Sequence, residues 1–306
     1  MRLLEGVVIG ALVIFALASD AVPAVDFSTA EGRFERHLTV TGPVELDLRT
    51  GSGGIDVRTG DSATVHVTAR IRARGSEAAD KVRRIEANPP IEQQGNAIHI
   101  GRLPDRELQR NVSIYYEVTV PRETRLVART GSGNQSIDGV RGPVDVESGS
   151  GNLVVASTEA GLIARTGSGD VRATTVGGPF TGHTGSGDIR AALTGAGDVD
   201  VRAGSGNIDL QGVHGRLVAR AGSGNLTAEG EATGPWDLTA GSGNVNLRLP
   251  PQASFDVLLR AGSGRITADR ALTMQGSSNR RRVEGRVGSG GPLLSVTTGS
   301  GNIRVQ

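Results

Sequence analysis

Residues 162–176 read L-I-A-R-T-G-S-G-D-V-R-A-T-T-V and form one unit of a pattern that recurs along most of the chain. The tripeptide Gly-Ser-Gly or Gly-Ala-Gly occurs twelve times in 306 residues, and from residue 131 most intervals are 18 or 19 residues. Asn follows the tripeptide six times and Asp three times. Gly, Asn and Asp accept the positive φ of a chain reversal, so each tripeptide is predicted to form a corner. A fixed period of this length indicates a solenoid.

Between the corners, apolar side chains recur at every second residue, which predicts β-strands. Before the corner at residue 222 the series is Leu217, Ala219 and Ala221, and after the corner at residue 149 it is Leu153 and Val155. One such coil cannot bury its own apolar face, but stacked coils share a continuous core. The predicted fold class is therefore all-β: a β-solenoid of stacked two-strand coils over residues 126–306.

Residues 25–125 have a looser strand pattern and are predicted to form an N-terminal β region that caps the first coil. One short helix is predicted over residues 76–87, with Ser76 as its N-cap. Its apolar side is expected to consist of Ala78, Val82 and Ile85.

The other end of the rod is predicted from three segments. The arginine-rich segment 274–287 lengthens one interval between corners and is expected to form a protruding loop. The last strands, near residues 293–297 and 302–305, are expected to close the rod.

The N-terminus has the features of an export signal. Arg2 precedes an apolar run of 13 residues, 6–18, which is shorter than the ~20 residues that span a bilayer. Residues 1–24 are predicted to be a signal peptide or, as the alternative, an uncleaved membrane anchor. The expected location is outside the cytoplasm: the periplasm, the cell surface or the extracellular space.

Composition excludes several classes of site. The chain has no Cys, which excludes disulfides, thiolate metal sites and cysteine nucleophiles. Its formal net charge of +1 argues against a nucleic-acid-binding domain. The five His residues are scattered without metal-ligand spacing.

Asp170 and Asp188 are the best candidates for a cation site. They follow successive corners and should lie about one strand spacing, ~4.8 Å, apart. Ca²⁺ prefers several oxygen ligands with negative charge, and most corners carry neutral Asn. The alternative is a structural ladder of hydrogen bonds between stacked Asn and Ser side chains; no other cofactor is expected.

A row of arginines is the second candidate site. Two residues before successive corners, the outward-facing position is expected to stack in one row that could attract a polyanion. The alternative is a solvated face whose charge is offset by neighbouring Asp residues. The arginines of this row are Arg129, Arg165, Arg202, Arg220 and Arg260.

No catalytic residues are predicted. Glycoside hydrolysis needs two carboxylates at a set separation in a groove, and the loops of this chain are short. A carbohydrate-active β-helix enzyme acting on an acidic polysaccharide is nevertheless kept as an alternative. An envelope scaffold or sensor is another, because exposed end strands can pair with other chains.

Residues 120–134, V-P-R-E-T-R-L-V-A-R-T-G-S-G-N, the repeats that follow, and the ending T-T-G-S-G-N-I-R-V resemble a bacterial family. It is the domain family of unknown function named "putative adhesin", related to autotransporter-adhesin-like heads. The resemblance implies an exported β-solenoid and supplies no catalytic residues. The predicted function is a structural or adhesive role at the bacterial envelope, with multivalent binding to cell-surface glycans or envelope proteins.

Overall fold

A computed structural model describes residues 28–306 apart from 61–62, 102, 104, 275–278 and 280. The predicted signal peptide lies outside the described residues. The helices are α1 (Ala78–Ala87) and α2 (Arg106–Gln109). The strands are β1 (Thr29–Thr39), β2 (Val44–Ser52), β3 (Ile55–Gly60), β4 (Thr64–Arg74), β5 (Ile91–Gln94), β6 (Ala97–Ile100), β7 (Val112–Pro121), β8 (Thr124–Ser132), β9 (Gln135–Asp138), β10 (Val144–Ser150), β11 (Leu153–Thr158), β12 (Leu162–Ser168), β13 (Val171–Val176), β14 (Phe180–Ser186), β15 (Ile189–Leu193), β16 (Val199–Ser205), β17 (Ile208–His214), β18 (Leu217–Ser223), β19 (Leu226–Glu231), β20 (Trp236–Ser242), β21 (Val245–Arg248), β22 (Phe255–Ser263), β23 (Ile266–Ala268), β24 (Thr273–Met274), β25 (Arg282–Val287), β26 (Leu293–Ser300) and β27 (Ile303–Val305).

The predicted β-solenoid is confirmed. Each coil places one strand in a 13-stranded sheet, sheet A, and one in a 14-stranded sheet, sheet B. Sheet A runs β1-β4-β7-β3-β9-β11-β13-β15-β17-β19-β21-β27-β23, and sheet B runs β24-β25-β22-β26-β20-β18-β16-β14-β12-β10-β8-β2-β6-β5. The coils from β2–β3 to β22–β23 number ten, and nine strand spacings make a stack about 43 Å long.

The core lies between the two sheets and consists of the alternating apolar residues. Coils stack in register, so Leu162 lies beside Val144 on one side and Phe180 on the other. Leu217 is fully buried, and the chain's single tryptophan, Trp236, is 1% exposed. Burial of equivalent positions in every coil makes the core continuous along the stack.

The corners depend on glycine for two reasons. The third residue of the tripeptide has positive φ, for example +149° at Gly151 and +136° at Gly224. A Cβ at Gly151 would also overlap the carbonyl oxygen of Gly133 in the preceding coil. Glycine satisfies both the left-handed backbone and the close approach of the coils.

The N-terminal region both extends and caps the stack. Strands β2 and β3 already form a coil, pairing in parallel with β8 and β9. Strands β1, β4 and β7 add antiparallel pairs beyond it in sheet A, and α1 packs on β1 and β4. The prediction of Ser76 as the N-cap of α1 is wrong: Glu77 takes that position without a side-chain capping bond. The helix α2 was not predicted, because its four residues carry too little periodicity.

The C-terminal end differs from the prediction. The last strands of the chain, β26 and β27, do not close the rod but insert between β20–β21 and β22–β23. The terminal coil is therefore β22–β23. The predicted protruding loop is also wrong for the described part of segment 274–287, because β25 pairs antiparallel with β22 and covers the edge of sheet B. The edge of a sheet presents unpaired backbone N–H and C=O groups that can pair with other chains, and a covering strand prevents this.

The described part of the chain has two helices, α1 and α2. Neither helix of the described chain has the length and apolar character needed to cross a bilayer.

Candidate functional site

A ladder of Asn and Asp side chains follows the corners on sheet A. From Asn134 to Asn302, the Oδ1 atom of each ladder residue accepts a hydrogen bond from the backbone N–H of the equivalent residue in the next coil. The bond from Asn152 N to Asn134 Oδ1 is 2.9 Å long, and the bond from Asn244 N to Asn225 Oδ1 has the same length. The ladder ends where Arg265 N donates to Asn302 Oδ1 at 2.9 Å. These side chains accept hydrogen bonds from backbone N–H groups at the bend, where pairing between strands does not supply an acceptor.

Asp170 and Asp188 are neighbours in this ladder, as their spacing predicted. Asp188 N donates to Asp170 Oδ1 at 2.8 Å, and Asp188 Oδ1 accepts from Asn207 N at 2.8 Å. Arg190 lies 2.6 Å from the other carboxylate oxygen of Asp188. The backbone hydrogen bond from Asn207, with the charge of Arg190, lowers the pKa of Asp188. Three of the four carboxylate oxygens therefore already have partners, two within the ladder and one in Arg190, and the Ca²⁺ site stays a prediction.

The strand register assembles most of the predicted arginine row on the outer face of sheet B. Arg202 and Arg220 lie side by side on neighbouring strands, whereas Glu147 separates Arg129 from Arg165. Asp145, Asp200 and Asp237 lie two residues before the row position of their strands, on the same face, whereas Glu147 is in the row itself. The distances from guanidinium nitrogen to carboxylate oxygen are 3.3 Å for Arg165–Asp145, 3.1 Å for Arg202–Asp200, 3.6 Å for Arg220–Asp237 and 3.3 Å for Arg129–Glu147. The row is thus an ion-paired face rather than an uncompensated basic stripe.

Arg260 stands apart from the rest of this row. In the order of the chain, Arg260 takes the row position on the sheet B strand that follows that of Thr239. The inserted strand β26 places Thr297 between Thr239 and Arg260. Arg260 instead lies opposite Arg282 of the antiparallel strand β25. The five predicted arginines therefore do not form one even series.

His183 occupies the same row between Arg165 and Arg202. Its Nε2 atom is buried without a hydrogen-bond partner in the described part of the chain, and Asp200 Oδ1 lies 3.8 Å away. Burial lowers the pKa of His183, the neighbouring arginines act in the same direction, and Asp200 opposes them.

A basic cavity of about 810 Å³ lies at the C-terminal end of the stack. Among the described residues, its lining contains three arginines, three asparagines and no carboxylate: Asn244, Asn246, Gly264, Arg265, Thr267, Arg281, Asn302, Ile303 and Arg304. Asp269, which is outside the lining, binds Arg304 at 2.8 Å. Sequence reasoning missed this cavity because the insertion of β27 beside β23 brings Arg304 next to Thr267. The available signal was Arg265, an exception to the Asn or Asp that usually follows the tripeptide.

A second cavity, of about 590 Å³, lies at the N-terminal end, where Arg49, Arg129, Tyr116 and Glu147 are among its lining residues. Glu147 is the one carboxylate among the described residues of that lining. Glycoside hydrolysis requires two carboxylates across the scissile bond, so this cavity lacks the acid pair.

Together, the parallel register, the glycine corners and the Asn ladder define the chain as a β-solenoid with polar outer faces. The family model described as Toastrack DUF4097 matches residues 44–306, and the chain belongs to that family of unknown function. The predicted membership of a family of unknown function is thereby confirmed. The relation to autotransporter-adhesin-like heads stays a prediction.

Several solved structures are similar to this chain. One is a "putative adhesin" from Bacteroides fragilis, with 12% identity and a TM-score of 0.44, covering 90% of this chain and 97% of that chain. Another is a "putative lipid binding protein" from Parabacteroides distasonis, with 10% identity and a TM-score of 0.42, covering 90% of this chain and 96% of that chain. A "putative cell adhesion protein" from Clostridium sporogenes has 9% identity and a TM-score of 0.23, covering 90% and 99%. No curated protein matches the chain.

Proposed function

We propose that this protein is an exported, non-enzymatic component of the bacterial envelope that binds anionic cell-surface glycans by multivalent contact. The observation that carries the proposal is the in-register stack of ten coils. It repeats outward polar side chains at one strand spacing, ~4.8 Å, on two rigid faces. A polymer with repeating charged groups can contact several coils at once, so that individually weak contacts add by avidity.

Charge distribution decides where an anionic polymer binds first. Apart from Arg260, the row arginines are 38–50% exposed and ion-paired, and exposed pairs of this kind contribute only ~0–1 kcal/mol each. A sulfate, phosphate or carboxylate group of the polymer can therefore replace the aspartate or glutamate that pairs with each of these arginines. In the basic end cavity no such replacement is needed for Arg265 and Arg281, because none of the described residues that line it has a carboxylate. We expect initial contact at this cavity and further contacts along the row.

Export is proposed from the N-terminal sequence. The 13-residue apolar run at 6–18 supports passage across the inner membrane, after which the protein would act in the periplasm, at the cell surface or outside the cell. Such a rod needs no redox chemistry to fold, since it has no Cys.

The test is binding of the full chain to an array of neutral and anionic glycans and lipopolysaccharide, at low and at high salt. We expect binding to anionic glycans that weakens at high salt. The R265S/R281S variant should lose most of it, and the R165S/R202S/R220S variant should lose less. Arg141→Ser is the matched control, because Arg141 is also an exposed arginine, ion-paired with Glu123 and Glu159.

Two results would contradict the proposal. The first is equal binding to neutral and anionic glycans, or no binding to either. The second is the release of new reducing ends or unsaturated products from an acidic polysaccharide, which would favour the enzyme alternative.

A further inference from the structure

Two of the five histidines come together on the outer face of sheet A, on its first two strands, although 28 residues separate them. His37 on β1 lies directly opposite His66 on β4 in the antiparallel pair. Glu35 precedes His37 by two residues and therefore points to the same face. The expectation that the histidines are scattered without metal-ligand spacing is wrong for this pair, because antiparallel pairing supplies a proximity that spacing along the chain does not reveal.

The donor atoms of these three side chains converge. His66 Nε2 lies 2.7 Å from Glu35 Oε1, and His37 Nε2 lies 3.3 Å from the same oxygen. The two rings stack, with centroids 4.3 Å apart and planes within 6°. One ligand atom from each residue falls within 4.8 Å of the others. In a tetrahedral zinc site with bonds of ~2.1 Å, ligand atoms lie about 3.4 Å apart, so the three atoms are already near the required separation. Because the rings are stacked, each imidazole must rotate out of the stack to turn its Nε2 lone pair toward a shared ion.

The chemistry of the donors favours a borderline transition-metal ion. Two imidazoles and one carboxylate form a ligand set found in zinc sites, and imidazole also suits copper and nickel. A hard cation such as Ca²⁺ prefers oxygen ligands and would gain little from two histidines. The side chains of Glu35 and His37 are 59% and 66% exposed, so an ion can reach the cluster from solvent.

We propose that Glu35, His37 and His66 form a surface site for a divalent transition-metal ion such as Zn²⁺, with the fourth position open to water. Nothing in the proposed glycan binding requires this site. Strand β1 is the outermost strand of sheet A, so one of its edges lacks a neighbouring strand within the described residues. A metal ion held by one residue of β4 and two of β1 cross-links this edge strand to the sheet. Binding only to the folded state raises thermal stability by mass action.

The experiment is isothermal titration of the full chain, prepared without a histidine tag, with ZnCl₂, together with thermal unfolding at rising Zn²⁺ concentration. His37→Asn and His66→Asn remove one ligand each. His214→Asn is the matched control, because His214 Nδ1 has a single carboxylate partner, Glu231, at 3.5 Å. Circular dichroism checks that each variant is folded, and NMR of the wild-type imidazoles shows which histidines respond to the metal.

The expected result is one zinc ion per chain and a Tm that rises with Zn²⁺. Loss of an outer-shell partner already weakens metal sites ~10–100-fold, so His37→Asn and His66→Asn should weaken binding at least as much. His214→Asn should bind as the wild type does. The proposal is overturned if no zinc binds at concentrations up to ~1 mM, a limit above the affinities expected of a specific site. It is also overturned if both ligand variants bind as tightly as the control, or if the NMR signals of His37 and His66 do not respond.

Discussion

Replacing Gly224 with Ala tests the role of the corners most directly. Gly224 has φ +136°, and a Cβ at this position would overlap the carbonyl oxygen of Gly206 and lie 2.6 Å from its carbonyl carbon. The backbone cannot move away freely, because the Gly224 N–H donates to Ser242 O at 2.9 Å in the next coil. The methyl group is therefore held between two stacked coils.

The loss of unfolding free energy expected for Gly224→Ala has two parts. A non-glycine residue in this region of φ costs ~1–3 kcal/mol, and overpacking costs typically a further ~1–3 kcal/mol. The variant should therefore lose about 2–6 kcal/mol of unfolding free energy, a large share of the ~5–15 kcal/mol by which proteins are stable. Ser223→Ala, one residue away at an exposed position, should change stability by less than ~0.5 kcal/mol.

Urea unfolding followed by tryptophan fluorescence measures this loss. Trp236 is the single tryptophan, is 1% exposed, and pairs with Leu217 of the coil that carries Gly224. Because stacked repeats can unfold in parts, hydrogen exchange of the neighbouring strands should accompany the fluorescence. If Gly224→Ala unfolds within ~0.5 kcal/mol of Ser223→Ala, the reasoning about the corners is refuted.

Three further predictions concern the ladder, the core and the ion-paired face. Asn225→Ala should lose about 1 kcal/mol in urea unfolding, because it removes the acceptor for the Asn244 N–H, whereas Asn225→Asp retains it; equal losses in both variants would contradict the ladder. Leu217→Asp should prevent stable folding by circular dichroism, since it places an unpaired charge in a fully buried position; a native melting curve would contradict the predicted core. An NMR titration should show a pKa for His183 below its ordinary value of 6.5, and lower still in Asp200→Asn. Protonation then favours the unfolded chain, so the stability due to His183 is full above pH 6.5 and falls as the pH falls below it; a pKa at or above 6.5 would refute this.

Much of the fold follows from local chemistry. Alternation such as Leu217, Ala219 and Ala221 predicts which side chains are buried, because a strand turns every second residue to the same face. The regular period places equivalent residues side by side, so the neighbours of Arg202 in the stack, His183 and Arg220, could also be predicted.

The order of coils at the C-terminal end could not be predicted in the same way. Insertion of β26–β27 between two earlier coils leaves the local pattern of each strand unchanged, and only the pairing partners differ. That choice moves Arg260 away from the predicted series and creates the basic cavity around Arg265 and Arg304. Similarly, the charge of the arginine row depends on carboxylates in neighbouring coils, such as Asp145 beside Arg165.

The amino-acid sequence by itself therefore determined the coil, its glycine corner and its buried face, because these depend on interactions within about twenty residues. Tertiary structure alone decided which coil lies at the end of the stack, which arginines are neutralised, and that His37 meets His66. The physical reason is that pairing between strands uses backbone groups common to all residues, so similar strands can exchange neighbours without a change in their own pattern.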